Sequence, residues 1–320
     1  RTAGGPFTSL FDFCARIDRS KVNRRCVDAL IKAGAFDSIT PNRAALLAST
    51  ELAYDYADLQ EANAGQAGLF DMGDESFHGS SQHEPELIDT MPWGVKERLS
   101  LEKSAIGFFL SGHLFDESAT EVRRIAKVAI ADLIESREPQ LMAGIISDLR
   151  VVNGQKGKAI LFKLDDKSGS VDSAVDEATF SANKHCLKDD ELVILQGVFR
   201  ADRFTGGYRL NVTQVWDLAT ARCRFGKYLN IQVNQNMPDI QRLVKEFPAI
   251  TESTEHGLIQ RGLPIRLSLV SEFKKTNPDA VYEVSATYEL GDKALFYPSD
   301  AALAIWSAQT QMGQAKIVYD

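Results

Sequence analysis

Few residues of this 320-residue chain stand at spacings that could carry covalent chemistry. Asp165-Asp166 is the one pair that invites a two-metal site. Neighbours in a strand point to opposite faces, however, and the Lys167-Ser168-Gly169 that follows favours a turn. Gly154-Gln155-Lys156-Gly157-Lys158 is not a phosphate-cradling P-loop, because the spacing is wrong and Ala159 stands where Ser or Thr would hold magnesium. His113 reads as a histidine at a helix end. His78, His83 and the His185-Cys186 pair lack partners that would fix a metal. No nucleophile-base pair emerges, so the chain is expected to catalyse nothing by itself and to hold no cofactor or metal.

The remaining chemistry is that of binding. Lys156 and Lys158 fall in one predicted loop, and Arg200, Arg203, Phe204, Tyr208 and Arg209 cluster around another. Positive charge interleaved with aromatic rings is what following a phosphate backbone while stacking bases requires. The same residues are equally compatible with the solvated loops of a barrel used for protein contact. Arg24 and Arg25 close the basic run Arg19-Ser20-Lys21-Val22-Asn23, where short helices could offer backbone amides and charge to a phosphate. A solvated basic turn is the other reading. Gln66-Ala67-Gly68-Leu69-Phe70 has the pattern of a short peptide that docks on a bacterial DNA sliding clamp. Leu69 and Phe70 would fill an apolar pocket while the Gln66 amide supplies a directional hydrogen bond. Chance produces such pentapeptides too.

Five regions must position these residues. Residues 1–60 are predicted helical, with Leu10, Phe11, Phe13, Cys14 and Ile17, then Val27, Leu30, Ile31 and Ala33, at helical spacing before Gly34. Residues 61–92 read as an acidic linker that holds the Gln66 peptide: seven acidic residues and no Lys or Arg, which accounts for nearly all of the net charge of −8. The rest of the chain is close to neutral, so total charge neither supports nor excludes nucleic acid. Residues 93–139 return to helix, with one apolar element from Val95 to Leu110 ended by Ser111-Gly112-His113. Residues 140–222 hold five predicted strands with turns at Asn153-Gly154, Asp166–Gly169 and Gly206-Gly207, and a helical stretch near 178–186 between the third and fourth. That is the order of an OB-fold barrel. Residues 223–320 follow a β-α-β-β-α-β order, read as a split βαβ arrangement and, lacking a site, as a protein-interaction domain. The fold class expected is therefore multidomain α+β: a helical region, a five-stranded OB barrel and a small α/β domain. No run of 18 apolar residues exists, so no membrane span is expected. Four cysteines without C-x-x-C spacing fit reduced thiols in a cytoplasm.

Taken together these landmarks resemble the C-terminal part of the bacterial DNA polymerase III alpha family, the replicative C-family polymerases. Phe7-Thr-Ser-Leu-Phe-Asp-Phe-Cys14, Asn23-Arg-Arg25 and Leu30-Ile-Lys-Ala-Gly-Ala-Phe-Asp37 are similar to the end of the family's helix-hairpin-helix region. Gln66–Phe70 resembles its internal clamp-binding motif, Ile106-Gly-Phe-Phe-Leu-Ser-Gly-His113 a stretch that follows it, and Leu164–Gly169 a turn of its OB barrel. Where the family often has a proline-led segment after Leu114, Phe115 follows here. The resemblance implies a non-enzymatic fragment of a cytoplasmic nucleotidyltransferase whose catalytic aspartates and two Mg2+ ions belong to the parent. Its implied partners are the sliding clamp, single-stranded template, primer-template duplex and the clamp-loader tau subunit. A free-standing adaptor between clamp and single-stranded DNA, and the error-prone paralogue of the same polymerase, are the alternatives. The opening Arg1-Thr-Ala-Gly-Gly-Pro6 argues against the adaptor, and the long region after Gly226 favours the replicative form.

Overall fold

The computed structural model describes residues 4–70, 83–154, 157–202, 206–233, 239–254, 257–274, 281–309 and 315–319. The chain divides into two compact units, Arg1–Glu117 and Ser118–Asp320.

The first unit is helical: α1 (Leu10–Arg16), α2 (Arg24–Lys32), α3 (Arg43–Ala48), α4 (Thr50–Phe70) and α5 (Val95–Ile106). Local sequence starts the first three. The side chains of Ser9, Asn23 and Asn42 accept from the backbone N–H groups of Asp12, Cys26 and Ala45, satisfying donors that a helix start leaves open. Gly34, at φ 82°, turns the chain after α2 in a conformation that costs a residue with a Cβ. Leu10, Phe11, Cys14, Val27, Ile31, Phe36 and Leu46 then close one core with the small Ala53 and Ala57 of α4.

Two expectations fail in this unit. Composition predicts a linker over 61–92, yet α4 continues to Phe70. Elongating a helix already nucleated adds a hydrogen bond for each residue fixed, and the Glu, Gln and three Ala residues between 61 and 67 favour that over coil despite Gly65. Residues 83–92 are also no free linker. The Ile88 N–H donates to Ser49 Oγ at 2.8 Å, Asn42 Nδ2 donates to the Thr90 carbonyl at 2.7 Å, and Leu87 packs on the helical core. The apolar element expected to run to Leu110 stops at Ile106, because Gly107 takes the left-handed conformation at φ 90°. Phe108 and Leu110 beyond it are exposed.

A buried ion pair holds α5. Arg43 Nη1 donates to Glu102 Oε1 at 2.6 Å, and its other edge meets Asp37 at 2.7 and 2.6 Å. The second Glu102 oxygen accepts the N–H groups of Leu110 and Ser111. Burial alone would push this carboxyl's pKa up, but the bonds from Ser111, Arg43 and Leu110 outweigh it and bring it down to about 2.

The second unit begins with α6 (Ala119–Ile125) and continues into a closed barrel of β1 (Gln140–Gly154), β2 (Gly157–Asp165), β3 (Ser170–Asp176), β4 (Leu192–Ala201) and β5 (Tyr208–Trp216). The order round the barrel is β1-β2-β3-β5-β4, with β3 parallel to β5, and α7 (Glu177–Ala182) lies between β3 and β4 as expected. This is the five-stranded OB topology. Inward residues alternate along each strand, among them Ile160, Phe162 and Leu164, Val171 and Val175, and Leu210 and Val212. Gly197 sits at a register shift where an added Cβ would lie 2.6 Å from the Asn211 carbonyl oxygen, so only glycine lets β4 and β5 approach. Asp166 accepts from Arg123 at 2.5 Å, from the Ile130 N–H at 2.9 Å and from Ser168, tying the segment before β1 to the barrel.

After α8 (Leu218–Phe225) come β6 (Gly226–Val233), α9 (Ile240–Glu246), the hairpin β7 (Ile250–Thr254) and β8 (Gly257–Arg261), β9 (Ile265–Lys274), β10 (Val281–Glu289), α10 (Asp300–Gln309) and β11 (Ala315–Tyr319). The sheet order is β10-β9-β6-β11. The split arrangement is therefore corrected: β6 and β9 pair directly and in parallel, with no strand between them. The β7-β8 hairpin went unforeseen, since its strands are five residues each and β8 is almost wholly exposed, leaving little apolar alternation to read. Leu229, Ile231, Leu243, Leu263, Phe296 and Trp306 fill the core.

Arg222 of α8 fastens this domain. It meets Glu121 of α6 at 2.8 and 2.7 Å, Asp300 at 2.6 Å and the Pro298 carbonyl at 3.0 Å, while the Tyr319 hydroxyl donates to Glu121 at 2.5 Å.

Candidate nucleic-acid interface

Strand register sets the outward face of the barrel. Lys163 of β2 stands opposite Asp172 of β3, Asp172 opposite Arg209 of β5, and Arg209 opposite Arg200 of β4. On the β1 side Lys163 faces Ser147, and Arg150 faces Leu161. One transverse row thus crosses all five strands and carries three cations and one carboxylate, with Arg150 beside it. Two adjoining hollows share Lys163 and Asp172: one runs from Arg150 to Arg209, the other reaches Tyr208. Tyr208 is 53% exposed, and its ring stacks on Phe199 at 5.2 Å and 24°, so one ring face is held. Cations along a groove that ends at a held aromatic ring can receive a phosphate backbone and a base.

The expected residues divide. Arg200 and Arg209 come together on this wall; Tyr208, next to Arg209 in β5, alternates to the other side, where it stacks on Phe199 in the second hollow, and Lys158 lies on β2 nearer the β1-β2 turn. Lys156, Arg203 and Phe204 lie outside the described residues. Lys158 and Arg209 each already face a carboxylate, Glu177 at 3.3 Å and Asp202 at 2.6 Å. Arg150 and Lys163 were missed by sequence reasoning. Alternation of charge and apolar residues within β1 and β2 was the available signal, and which alternate face is used depends on the barrel closing.

The basic turn before α2 is less favourable. Arg19 pairs with Asp58 and Glu61, Lys21 with Asp18 at 2.9 Å, and Arg24 with Glu51 at 3.4 Å; Arg25 is exposed. The hollow between α1 and α4 beside it is lined by Asp12, Asp18, Asp58, Glu61 and Glu84 against the single cation Arg19, a field that repels phosphate. Positions 66, 69 and 70 of the clamp-type peptide fall in the last turns of α4. Among the described residues no group of three His, Cys, Asp or Glu side chains could hold a metal ion. Asp166, which sequence reading paired with Asp165, is already committed to Arg123, Ile130 and Ser168.

Residues 1–46 match the family of the helix-hairpin-helix motif. The chain is 42% identical over 276 residues to DNA polymerase III subunit alpha of Neisseria meningitidis serogroup B, covering 85% of this chain and 23% of that protein. It is 36% identical over 265 residues to the Pseudomonas aeruginosa protein of the same name, covering 76% and 22%. The chain thus spans less than a quarter of the length of these relatives. A solved structure of the second OB-fold domain of replication protein A from Methanococcus maripaludis aligns with 28% of this chain and 93% of its own at 12% identity and a TM-score of 0.23. The OB assignment rests on the strand order and closure of the barrel, not on that likeness.

Proposed function

This chain is homologous to part of the DNA polymerase III alpha subunit, and from that premise we propose that it is the template-holding, processivity-conferring C-terminal part of a replicative DNA polymerase. The parent would be a cytoplasmic DNA-directed nucleotidyltransferase. These residues would bind single-stranded template on the barrel wall, with primer-template duplex reaching Arg24 and Arg25 of the helical unit. Gln66, Leu69 and Phe70 would dock on the sliding clamp, and the domain after Phe225 would contact the tau subunit of the clamp loader. The parent's two Mg2+ ions find no fit among the described residues, so no metal-dependent step is assigned here.

The observation that carries the barrel reading is the row of Lys163, Arg209 and Arg200, with the stacked Tyr208 in the hollow that Lys163 also lines. Arg200 of the row and Arg150 beside it are exposed and, among the described residues, take no part in the ion pairs that engage Lys163 and Arg209. The test is titration of oligo-dT at several salt concentrations. Four phosphates neutralised on a single strand give a log-log slope of about −3, and Arg150→Ala with Arg200→Ala should flatten it by about 1.4. Binding that is absent or indifferent to salt would assign the barrel to protein contact instead.

A further inference from the structure

Three of the cations on the barrel wall are engaged before any ligand arrives. Lys163 Nζ lies 3.4 Å from Asp148 Oδ2, Arg209 Nη2 lies 2.6 Å from Asp202 Oδ2, and Lys158 Nζ lies 3.3 Å from Glu177 Oε1. Asp148 lines the groove itself, and Asp202 and Glu177 stand at the ends of elements beside it. Asp148 sits at the irregularity of β1 with φ 56°, Asp202 directly follows β4, and Glu177 begins α7. The Asp202 side chain is only 7% exposed, and its backbone joins a turn in which its N–H donates to the Gly207 carbonyl and its own carbonyl accepts from Gly206. It is therefore held in place rather than meeting Arg209 by chance. Asp172 adds a further negative charge between Lys163 and Arg209 in the register.

We propose that Asp148 and Asp202 are affinity-limiting residues of the single-strand groove: they occupy Lys163 and Arg209 in the free protein, and an incoming phosphodiester must exchange with them. This rests on the reading of the barrel wall as a single-strand track and names what regulates its grip. An exchanged cation gives up one ion pair to gain another and releases no condensed counterion of its own. A strand lying in the groove is thus held by fewer effective charges than the cations present. Such a site lets template slide, which a binding surface that must pass one nucleotide after another requires.

The experiment compares the whole chain with Asp148→Asn, Asp202→Asn and the double variant, using oligo-dT and a salt series from 0.05 to about 0.3 M. Asn accepts the left-handed backbone at position 148 as readily as Asp, so that variant keeps its fold even if the turn at 202 loosens. Each freed cation should steepen the log-log slope by about 0.7 and raise affinity about fivefold at 0.1 M salt. Glu246→Gln, on α9 away from the barrel, makes the same change in net charge and should do neither. If the parent binds oligo-dT and both variants match it in slope and affinity, the exchange is overturned while the track stands. A rise in Glu246→Gln equal to the others also overturns it, since bulk charge would then explain everything. No binding by any of the five proteins overturns the track itself and the exchange with it.

Discussion

Glu102 is the residue whose loss the first unit should feel most. It is fully buried, pairs with Arg43 and accepts two backbone N–H groups at the 110–111 corner. Burial works against its ionisation, yet the bonds from Ser111, Arg43 and Leu110 set its pKa at about 2 against the ordinary 4.5. A depressed folded pKa stabilises the fold in full above about pH 4.5, and the contribution is lost as the pH falls towards 2. That difference corresponds to about 3 kcal/mol at neutral pH, of which more than half is gone by about pH 3. Removing one member of a buried pair costs a similar amount, about 3–5 kcal/mol. Glu102→Gln keeps the shape and one acceptor but removes the charge, so it should destabilise the first unit by about 3 kcal/mol at pH 7 and by about half that or less at pH 3. Hydrogen exchange read by mass spectrometry on peptides from α2 and α5 separates this unit from the barrel. Glu97→Gln, exposed on the same helix, serves as the control. A loss under about 1 kcal/mol, or the same loss at both pH values, would refute the assignment of stability to this carboxylate.

Arg222→Met should cost about 3–5 kcal/mol, because it takes the paired guanidinium from Glu121, leaving it the Tyr319 hydroxyl and the more distant Arg124, and frees Asp300. Urea unfolding followed by circular dichroism reads it, and a neutral result would mean that apolar packing alone holds the end domain. For the proposed clamp contact, Leu69→Ala with Phe70→Ala should lose about 3 kcal/mol or more of clamp affinity by calorimetry, with Gln66→Ala losing less. Undiminished affinity in the double variant would dismiss the motif. Ending the chain after Phe225 should abolish retention of tau on a sizing column while clamp binding persists. Tau retained by the shortened chain would move that contact to the barrel or the helical unit.

Much of the architecture was legible along the chain because local periodicity reports local structure. The five barrel strands follow apolar alternation between turn signals such as Asp166–Gly169 and Gly206-Gly207, although Asn153-Gly154, read as a turn, is the end of β1; α1 and α2 follow their apolar spacing. Arg200 and Arg209 stand opposite each other because they lie close together in one hairpin. What sequence reading missed depends on partners far apart. Arg43 and Glu102 are 59 residues apart and Arg222 and Glu121 are 101, and nothing in either neighbourhood marks them as a pair. The end of α4 was misread because composition reports a residue's average preference, whereas the turn before it had already met the cost of nucleation. Arg150 and Lys163 became part of a groove only when the barrel closed. Closure sets the register between strands, and register decides which alternate side chains stand side by side on one wall.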